Sequence, residues 1–322
     1  MTRNPFYKII EGYEDMDLRQ QLPSGLEYGQ KPLVSIWVST YNHERYIRQC
    51  LDSIVVQKKN FPIEIIIADD CSTDGNQGII REYAEKYPEI IRPILGNKNT
   101  FSEGRSRFIE QFVPLARGKY FACCEGDDYW IYAGKLQRMA DFLESRPEYS
   151  MIFHAFKGKS EVKGLSANFA RLPRCRKVGI FEVIVEPHIH YAAFMGRIDN
   201  IREDNEFQRQ YRCNETVTFD MRTYLSLYNS GKVYGLPDFW SVYRLQPAGV
   251  YTELKILHKE KAHDDKILEE LQTFYDGKYK KLVAYRTAFL DLQQQLDSWT
   301  YARRERKYLK ALKYFIVALM SH

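Results

Sequence analysis

The chain has 322 residues, of which 44% are hydrophobic and 28% are charged, and this composition excludes a disordered or collagen-like protein. Its formal net charge is +5, and the segment 299–322, with six basic residues and one acid, accounts for all of it. Because the rest of the chain is neutral, we do not expect nucleic acid as a partner.

The sequence predicts no membrane-spanning segment and no secretory signal. The longest apolar run near the C-terminus, 314–320, has seven residues, whereas a spanning helix needs about 20. The N-terminal residues lack the apolar core of a signal peptide. The six cysteines show no CxxC pair and no zinc-ligand spacing, so we predict reduced, structural thiols in a cytoplasmic protein.

From Pro32 onward, predicted strands alternate with predicted helices. Strands are predicted at 33–38, 63–68, 90–95 and 119–124, and helices at 46–55, from the caps at 72–74 to about 87, at 103–115 and at 134–145. The run 63–68 is almost continuously apolar, which is typical of a parallel strand covered on both faces. This alternation predicts an α/β fold with a mostly parallel central sheet.

The pattern is weaker in the second half of the chain. Residues 156–215 contain only short apolar pieces between charged loops. A helix is predicted at 217–228, short strands around Val233 and at 240–245, and helical structure from Thr252 onward.

Two acidic pairs follow predicted parallel strands. Asp69 and Asp70 end the second strand, and Asp127 and Asp128 come just after the fourth. The carboxyl ends of parallel strands meet at one edge of a sheet, where such sheets bind ligands. We therefore expect four carboxylates to converge there, and their mutual repulsion favours a bound Mg²⁺ or Mn²⁺. The alternative is that these acids are solvated loop residues or helix caps.

Several segments resemble family 2 glycosyltransferases of the GT-A fold. The nucleotide-binding half is matched by VSIWVSTYN (34–42), YIRQCLDSIVVQ (46–57), EIIIADDCSTD (64–74), LARGKYFACCEGDDYW (115–130) and KLQRMADFLESRPEY (135–149). The closing elements of that domain are matched by FDMRTYL (219–225), GKVYGLP (231–237) and SVYRLQPAG (241–249). The resemblance implies a GT-A nucleotide-sugar-binding domain of the bacterial surface-glycan type, with a helical C-terminal extension.

On this basis we divide the chain into four parts: an N-terminal arm (1–31), a nucleotide-sugar-binding half (32–155), an acceptor-binding half (156–250) and a helical extension (251–322). The resemblance implies a nucleotide-sugar donor, which in this family is most often a UDP-sugar. Ser39, Tyr41 and Asn42 match the loop that cradles the base, with Tyr41 stacking on a pyrimidine. Asp70 is implied to accept a hydrogen bond from the ring N–H of the base.

The segment after the fourth strand matches the metal motif of the family. It implies that Asp127 contacts the ribose and that Asp128 binds Mn²⁺ or Mg²⁺. Glu125 stands where many relatives have aspartate, and we do not assign it as a direct ligand. Arg105 and Arg107, on the predicted third helix, neutralise the diphosphate in this interpretation. The alternative for both arginines is a position facing solvent.

The resemblance also implies an inverting transfer to a hydroxyl group of a glycan or a lipid-linked saccharide. The acceptor hydroxyl needs a carboxylate that removes its proton, and Asp220 occupies the family position of this catalytic base. The alternative for Asp220 is an acid that merely favours the N-terminus of a helix.

One position departs from the family pattern. Relatives with a YRxH motif have a histidine near the metal, but this chain has Gln246 there. Three explanations remain open: aspartate and phosphate hold the metal alone, His258 or His263 substitutes, or the activity is altered. We interpret His188 and His190, in the predicted acceptor region, as structural.

The segment 299–322 has an apolar stripe and a basic side. Such a helix can lie on an anionic membrane surface, which would place the protein at the inner face of the membrane beside a lipid-linked acceptor. The alternative is packing on the preceding helices or on a second subunit, which allows a homo-oligomer.

Other functions compete with this interpretation. A non-catalytic nucleotide-sugar-binding or scaffolding protein would keep the crevice without turnover, and Gln246 keeps this alternative open. A nucleotidyltransferase or a nicotinamide dehydrogenase is disfavoured, because no glycine-rich loop follows the first strand.

Overall fold

A computed structural model describes residues 31–100, 108–165, 172–184, 189–204, 219–249, 252, 265–269, 275 and 277–297. The predicted N-terminal arm, apart from Lys31, lies outside the described residues. Arg105, Arg107 and the whole basic segment 299–322 lie outside them too. The histidines His188, His258 and His263 lie outside them as well. The chain divides into two compact units, Met1–Glu253 and Leu254–His322.

Strands and helices alternate along most of the described chain. The strands are β1 (Val34–Thr40), β2 (Ile63–Asp69), β3 (Ile91–Leu95), β4 (Tyr120–Glu125), β5 (Tyr129–Trp130), β6 (Tyr149–Ser160), β7 (Arg176–Val178), β8 (Phe194–Arg197) and β9 (Lys232–Leu245). The helices are α1 (Ile47–Val55), α2 (Asn76–Lys86), α3 (Val113–Leu115), α4 (Lys135–Ser145), α5 (Ile180–Ile184), α6 (Ile198–Glu203), α7 (Phe219–Ser230) and α8 (Lys280–Asp297). A π-helical turn, Phe108–Phe112, leads into α3, and a 3₁₀ turn, Tyr191–Ala193, precedes β8.

The described strands form one sheet, in the order β3-β2-β1-β4-β8-β6-β9-β5, with β7 paired to β9. Strands β3, β2, β1 and β4 run parallel to one another, whereas β8 is antiparallel to both β4 and β6. Every residue of β2 is buried, as expected for a parallel strand covered on both faces. The predicted α/β class with a parallel central sheet is confirmed, and antiparallel strands join it on one side.

The first helix shows why these segments fold as they do. Its apolar residues recur at spacings of three and four, so Ile47, Cys50, Leu51 and Ile54 form one buried face. That face belongs to the same hydrophobic core as the side chains of β1 and β2. The described cysteines are free thiols, and several of them are buried.

The structure differs from the sequence prediction at β9. We predicted two short strands around Val233 and at 240–245, but one strand of 14 residues covers both. Pro237 lies between them and has no backbone N–H to donate. The pairing with β6 passes from Leu236 to Phe239, so a register shift skips the proline and the strand continues.

The second unit is described over a smaller part of its length. Its main element is α8, and Tyr279 and Val283 are buried. Helical structure here agrees with the helical character predicted from Thr252 onward. Among the described residues, no helix combines the length and the apolar character needed to cross a membrane.

Candidate functional site

The carboxyl ends of three neighbouring strands form the edge on which the candidate site is built. Thr40 of β1 lies opposite Asp69 of β2, and Ser39 lies opposite Glu125 of β4. The loops after these strands therefore emerge side by side. Such an edge of a parallel sheet is where α/β proteins bind their ligands.

The loop after β1 is fastened to the loop after β2. Asn42 and Cys71 both have positive φ angles, 54° and 68°, which turn the chain sharply at the strand ends. The N–H of Asn42 donates to Ser72 Oγ (2.8 Å), and the N–H of Thr73 donates to Asn42 Oδ1 (2.8 Å). Tyr41, in this fastened loop, has 42% of its surface exposed, which leaves its ring accessible for stacking.

The two acids at the end of β2 have different surroundings. Asp69 is fully buried, and its carboxylate accepts hydrogen bonds from the chain that leads into α2: Ser72 N (2.9 Å), Asn76 Nδ2 (2.7 Å) and Gln77 Nε2 (2.6 Å). Asp70 accepts from the N–H (3.0 Å) and the hydroxyl (2.8 Å) of Thr100. The four carboxylates therefore do not come together as one group: neutral donors satisfy Asp69 and orient the loop, and neither Asp69 nor Asp70 belongs to the close acidic group described below.

The first acid of the second pair, Asp127, lies in a loop that passes close to the end of β1. A Cβ atom on Gly126 would lie 2.5 Å from Oγ1 of Thr40, so only glycine permits this approach. The side chain of Asp127 is 14% exposed, and its Oδ2 lies 3.7 Å from Nε2 of His43. A carboxylate that is partly open to solvent at this edge is accessible to the hydroxyl groups of a ligand.

Arg244, near the end of β9, holds the second acidic pair in place. Its N–H donates to Oδ1 of Asp128 (2.9 Å), and its Nε donates to the main-chain oxygen of Asp127 (2.7 Å). Its terminal nitrogens donate to the carboxylate of Glu161 and to Oε1 of Gln49. In the sequence, Arg244 appears only as part of a family motif. Its role in holding this loop could not be predicted, because the residues that it contacts are distant in the chain.

A lysine at position 244 should weaken the fold around this loop. Arg244→Lys keeps the charge but removes the planar fork that joins Asp127, Glu161 and Gln49. We expect the free energy of unfolding to fall by about 2–3 kcal/mol, because these hydrogen bonds are partly buried and charge-assisted. Urea unfolding followed by circular dichroism measures this loss.

Arg48→Lys is the matched control for that prediction. Arg48 also makes a forked pair, with Glu82, but both side chains are about half exposed. Exposed pairs contribute less than about 1 kcal/mol, so this variant should unfold almost as the native protein does. Equal losses in the two variants would contradict the role assigned to Arg244.

Three side chains near the loop have ligand atoms suited to a metal ion. One atom each from Glu125, Asp128 and His190 lies within 4.8 Å of the others. Asp128 is 1% exposed, and no hydrogen-bond donor among the described residues reaches its Oδ2. A buried carboxylate oxygen without a partner is costly, so this oxygen fits a cation. The carboxylate oxygens are the ligand type that Mg²⁺ and Mn²⁺ prefer.

The electrostatics of this group favour a cation as well. Burial, followed by the charge of Asp127, raises the pKa of both Glu125 and Asp128 well above the usual range. Any positive charge that enters the group therefore stabilises both carboxylates. Burial also lowers the pKa of His190 to about 3, with the charge of Lys135 as the second cause.

The sequence analysis assigned only Asp128 to the metal site and left out the two other residues of this group. Glu125 was not assigned as a ligand, yet one of its oxygens lies within the group. His190 was interpreted as structural, yet its Nε2 lies 3.8 Å from Oδ2 of Asp128. Gln246 is engaged elsewhere, because its Oε1 accepts the N–H of Ala248 (3.1 Å).

Asp220 lies in the first turn of α7. The residue is exposed, yet surrounding protein removes enough hydration from its carboxyl group to raise the pKa to about 7. Its charge in turn contributes to the raised pKa of Glu125, Tyr191 and Tyr224. A carboxylate with a pKa near neutrality, close to a cluster of acids, has the properties of a general base.

A family model described as Glycosyl transferase family 2 matches residues 35–245. The uncharacterized protein Rv1520 of Mycobacterium tuberculosis is 31% identical to this chain over 234 residues, which cover 71% of this chain and 65% of that protein. The putative teichuronic acid biosynthesis glycosyltransferase TuaG of Bacillus subtilis is 35% identical over 117 residues, 36% of this chain and 44% of that protein. The matched part of the chain thus spans less than two thirds of the length of these relatives.

Solved structures share the fold at low sequence identity. The mannosyltransferase PcManGT from Pyrobaculum calidifontis, in complex with GDP-Man and Mn²⁺, superposes with a TM-score of 0.57 at 16% identity, covering 92% of this chain and 82% of that one. TarS from S. aureus, in complex with UDP, superposes with a TM-score of 0.51 at 19% identity, covering 82% of this chain and 78% of that one. These likenesses confirm the predicted GT-A-like fold.

Proposed function

The chain belongs to glycosyl transferase family 2, and on that basis we propose that it transfers a sugar from a UDP-sugar to a hydroxyl group of a glycan or a lipid-linked saccharide. The observation that carries the proposal is the buried carboxylate of Asp128, whose Oδ2 lacks a donor among the described residues at the edge where parallel strands end. A buried, unpaired carboxylate oxygen at the ligand-binding edge of the sheet suits a nucleotide sugar whose diphosphate is bound through a cation.

The base and the ribose of the donor would be held by the loops after β1, β2 and β4. The exposed ring of Tyr41 is suited to stacking on the uracil, with Ser39 and Asn42 close to it in the chain. Asp70 would accept the ring N–H of the base. Asp127 would accept hydrogen bonds from the ribose hydroxyls.

The diphosphate would lie beside the group formed by Glu125, Asp128 and His190. A Mn²⁺ or Mg²⁺ ion bound there would supply positive charge for the oxygens of the leaving diphosphate. Asp128 would hold that ion, with Glu125 in reach of it. Arg105 and Arg107 remain our proposed cationic contacts to the diphosphate.

The acceptor would be activated by Asp220. The carboxylate removes the proton of the attacking hydroxyl as the bond to the anomeric carbon forms, and its pKa near 7 suits that task. Attack from the face opposite the leaving diphosphate inverts the anomeric centre. Association of segment 299–322 with the inner face of the membrane, or with a second subunit, stays a prediction of the sequence.

Release of a nucleoside diphosphate tests the proposal. The full chain is incubated with sugar nucleotides of the UDP, GDP, dTDP and CMP types, with and without Mn²⁺, and the free nucleotide is measured. We expect release from a UDP-sugar that stops when EDTA removes the metal. The protein with Asp128 replaced by asparagine is the matched control and should release little.

Other outcomes would contradict parts of the proposal. Release from a donor of another type would overturn the uridine assignment and keep the transferase. Release that EDTA does not affect would overturn the cation requirement. Metal-dependent binding of UDP without turnover, even with an acceptor glycan present, would favour a binding protein over an enzyme.

A further inference from the structure

The imidazole of His190 is held rigidly beside Asp128. Its ring lies against two aromatic rings, with the centroid of Tyr243 at 4.4 Å and that of Phe156 at 4.8 Å. The side chain is 13% exposed, and its Nε2 lies 3.8 Å from Oδ2 of Asp128. Aromatic neighbours on this ring restrict its rotation, so the position of Nε2 is a property of the fold.

The other ring nitrogen already has a partner. The N–H of Ala192 donates to Nδ1 of His190 (3.2 Å), which caps the 3₁₀ turn that follows. Because Nδ1 accepts a hydrogen bond, it carries no hydrogen itself, and the proton of the neutral ring is on Nε2. The capping bond therefore selects the tautomer in which Nε2–H is beside the carboxylate of Asp128.

The turn that provides this cap is fixed by two further hydrogen bonds. The main-chain oxygen of Ala192 accepts from Nζ of Lys135 (2.6 Å) and from Nε1 of Trp130 (3.0 Å), and both bonds are buried. The ammonium of Lys135 also lies over the ring of Trp130, 3.8 Å from its centroid. These contacts hold the residue whose N–H sets the tautomer of His190.

Direct ligation of a cation by His190 would disrupt this arrangement. Nε2 can bind a metal only without its proton, and a neutral ring would then carry the proton on Nδ1, against the N–H of Ala192. Ala192 is fully buried, and its N–H would lose this acceptor. Histidines that bind metals usually donate from their second nitrogen, whereas this second nitrogen accepts.

We infer that His190 is a positioning residue that donates its Nε2–H to Oδ2 of Asp128 and is not itself a ligand of the cation. The inference rests on the proposed cation site. A shift of the carboxylate by about 1 Å brings the two atoms to hydrogen-bond distance. Oδ1 is held by the N–H of Arg244, so His190 would fix the second oxygen and leave its other lone pair for the cation. Ligating carboxylates are commonly hydrogen-bonded in this way.

Nitrogen NMR of the native protein labelled with ¹⁵N-histidine tests the tautomer directly. The resonances of His190 are assigned as those missing from His190→Gln, and spectra are recorded without metal and with Mg²⁺ plus UDP. We expect the Nε2–H tautomer in both spectra. A change to the Nδ1–H tautomer on adding Mg²⁺ and UDP would overturn the inference and make His190 a ligand.

Affinity for Mn²⁺, measured by electron paramagnetic resonance, supplies the second test. His190→Ala should weaken Mn²⁺ binding by about 10–100-fold, whereas His190→Gln, whose amide keeps an N–H donor, should bind much more tightly than the alanine variant. Equal losses in both variants would contradict a donor role. Gln246→Ala is the control, and its Mn²⁺ affinity should equal that of the native protein.

The Mn²⁺ titration and the NMR spectra together distinguish a failure of the proposed function from a failure of this inference. If the native protein binds no Mn²⁺ even with UDP, the cation requirement of the proposed function fails, and this inference fails with it. If Mn²⁺ binds and the tautomer changes, only the role of His190 is overturned.

Discussion

Replacing Asp220 with asparagine should lower kcat by about 10²–10⁴-fold while the protein still folds. The amide has nearly the shape of the carboxylate but cannot take the proton of the acceptor hydroxyl. The pH profile should change as well. A base with a pKa of about 7 is active when deprotonated, so kcat/KM of the native protein should rise with pH through about 7. That rise should be missing from Asp220→Asn.

Stability measurements separate catalysis from the helix-terminus alternative. An acid that only favours the first turn of α7 contributes about 0.3–1 kcal/mol to stability, and its loss would leave kcat unchanged. Asp199→Asn is the matched control, because Asp199 lies in the first turn of α6, is paired with Arg202, and has an exposed side chain. Near-native kcat in Asp220→Asn, with a small loss of stability, would remove the catalytic role.

Replacing Asp128 with asparagine should weaken Mn²⁺ binding more than replacing His190 does. Loss of a residue that only hydrogen-bonds to a metal ligand typically costs about 10–100-fold in affinity, and loss of the ligand itself should cost more. The carboxylate oxygen that fits the cation is buried, and no donor among the described residues lies within hydrogen-bond distance of it in the structure. The amide removes that charge and leaves Oδ1 free to accept the N–H of Arg244, as it does now. Binding is measured by isothermal titration with Mn²⁺ in the presence of UDP.

The same variant should not be less stable than the native protein when metal is removed. The charge of Asp128 is buried near Glu125 and Asp127, so a neutral side chain relieves both desolvation and repulsion. Mn²⁺ should raise the Tm of the native protein through binding and leave the Tm of Asp128→Asn unchanged. Asp141→Asn, on the exposed side of α4, is the control and should respond to Mn²⁺ as the native protein does. An undiminished Tm rise in Asp128→Asn would place the cation elsewhere.

The elements with strong periodicity were predictable from the sequence. The run of buried residues in β2 and the spacing of apolar residues in α1 each follow from local patterns, and both elements form as predicted. The family resemblance likewise rests on contiguous segments and is confirmed by the family match. At β9 the prediction was wrong, because a proline that interrupts the pattern in sequence is accommodated by a register shift in the sheet.

The candidate site was predictable only in part. The strand ends that carry Asp70 and Asp128 follow from chain order, but the sequence does not distinguish Asp69 from Asp70. Asp69 differs because side chains from α2 turn back onto it. Arg105 and Arg107 lie outside the described residues, so their role stays a prediction, and the four domain boundaries likewise stay predictions.

The sequence alone determined the α/β class, the family and the acids at the strand ends, because each of these depends on residues that are neighbours along the chain. The tertiary structure decided which side chains meet. His190 comes beside Asp128 because β8 pairs with β4, and Arg244 reaches the same loop because it lies at the end of β9. Contacts between residues that are distant in sequence depend on strand pairing, and the local patterns of the sequence do not reveal which strands pair.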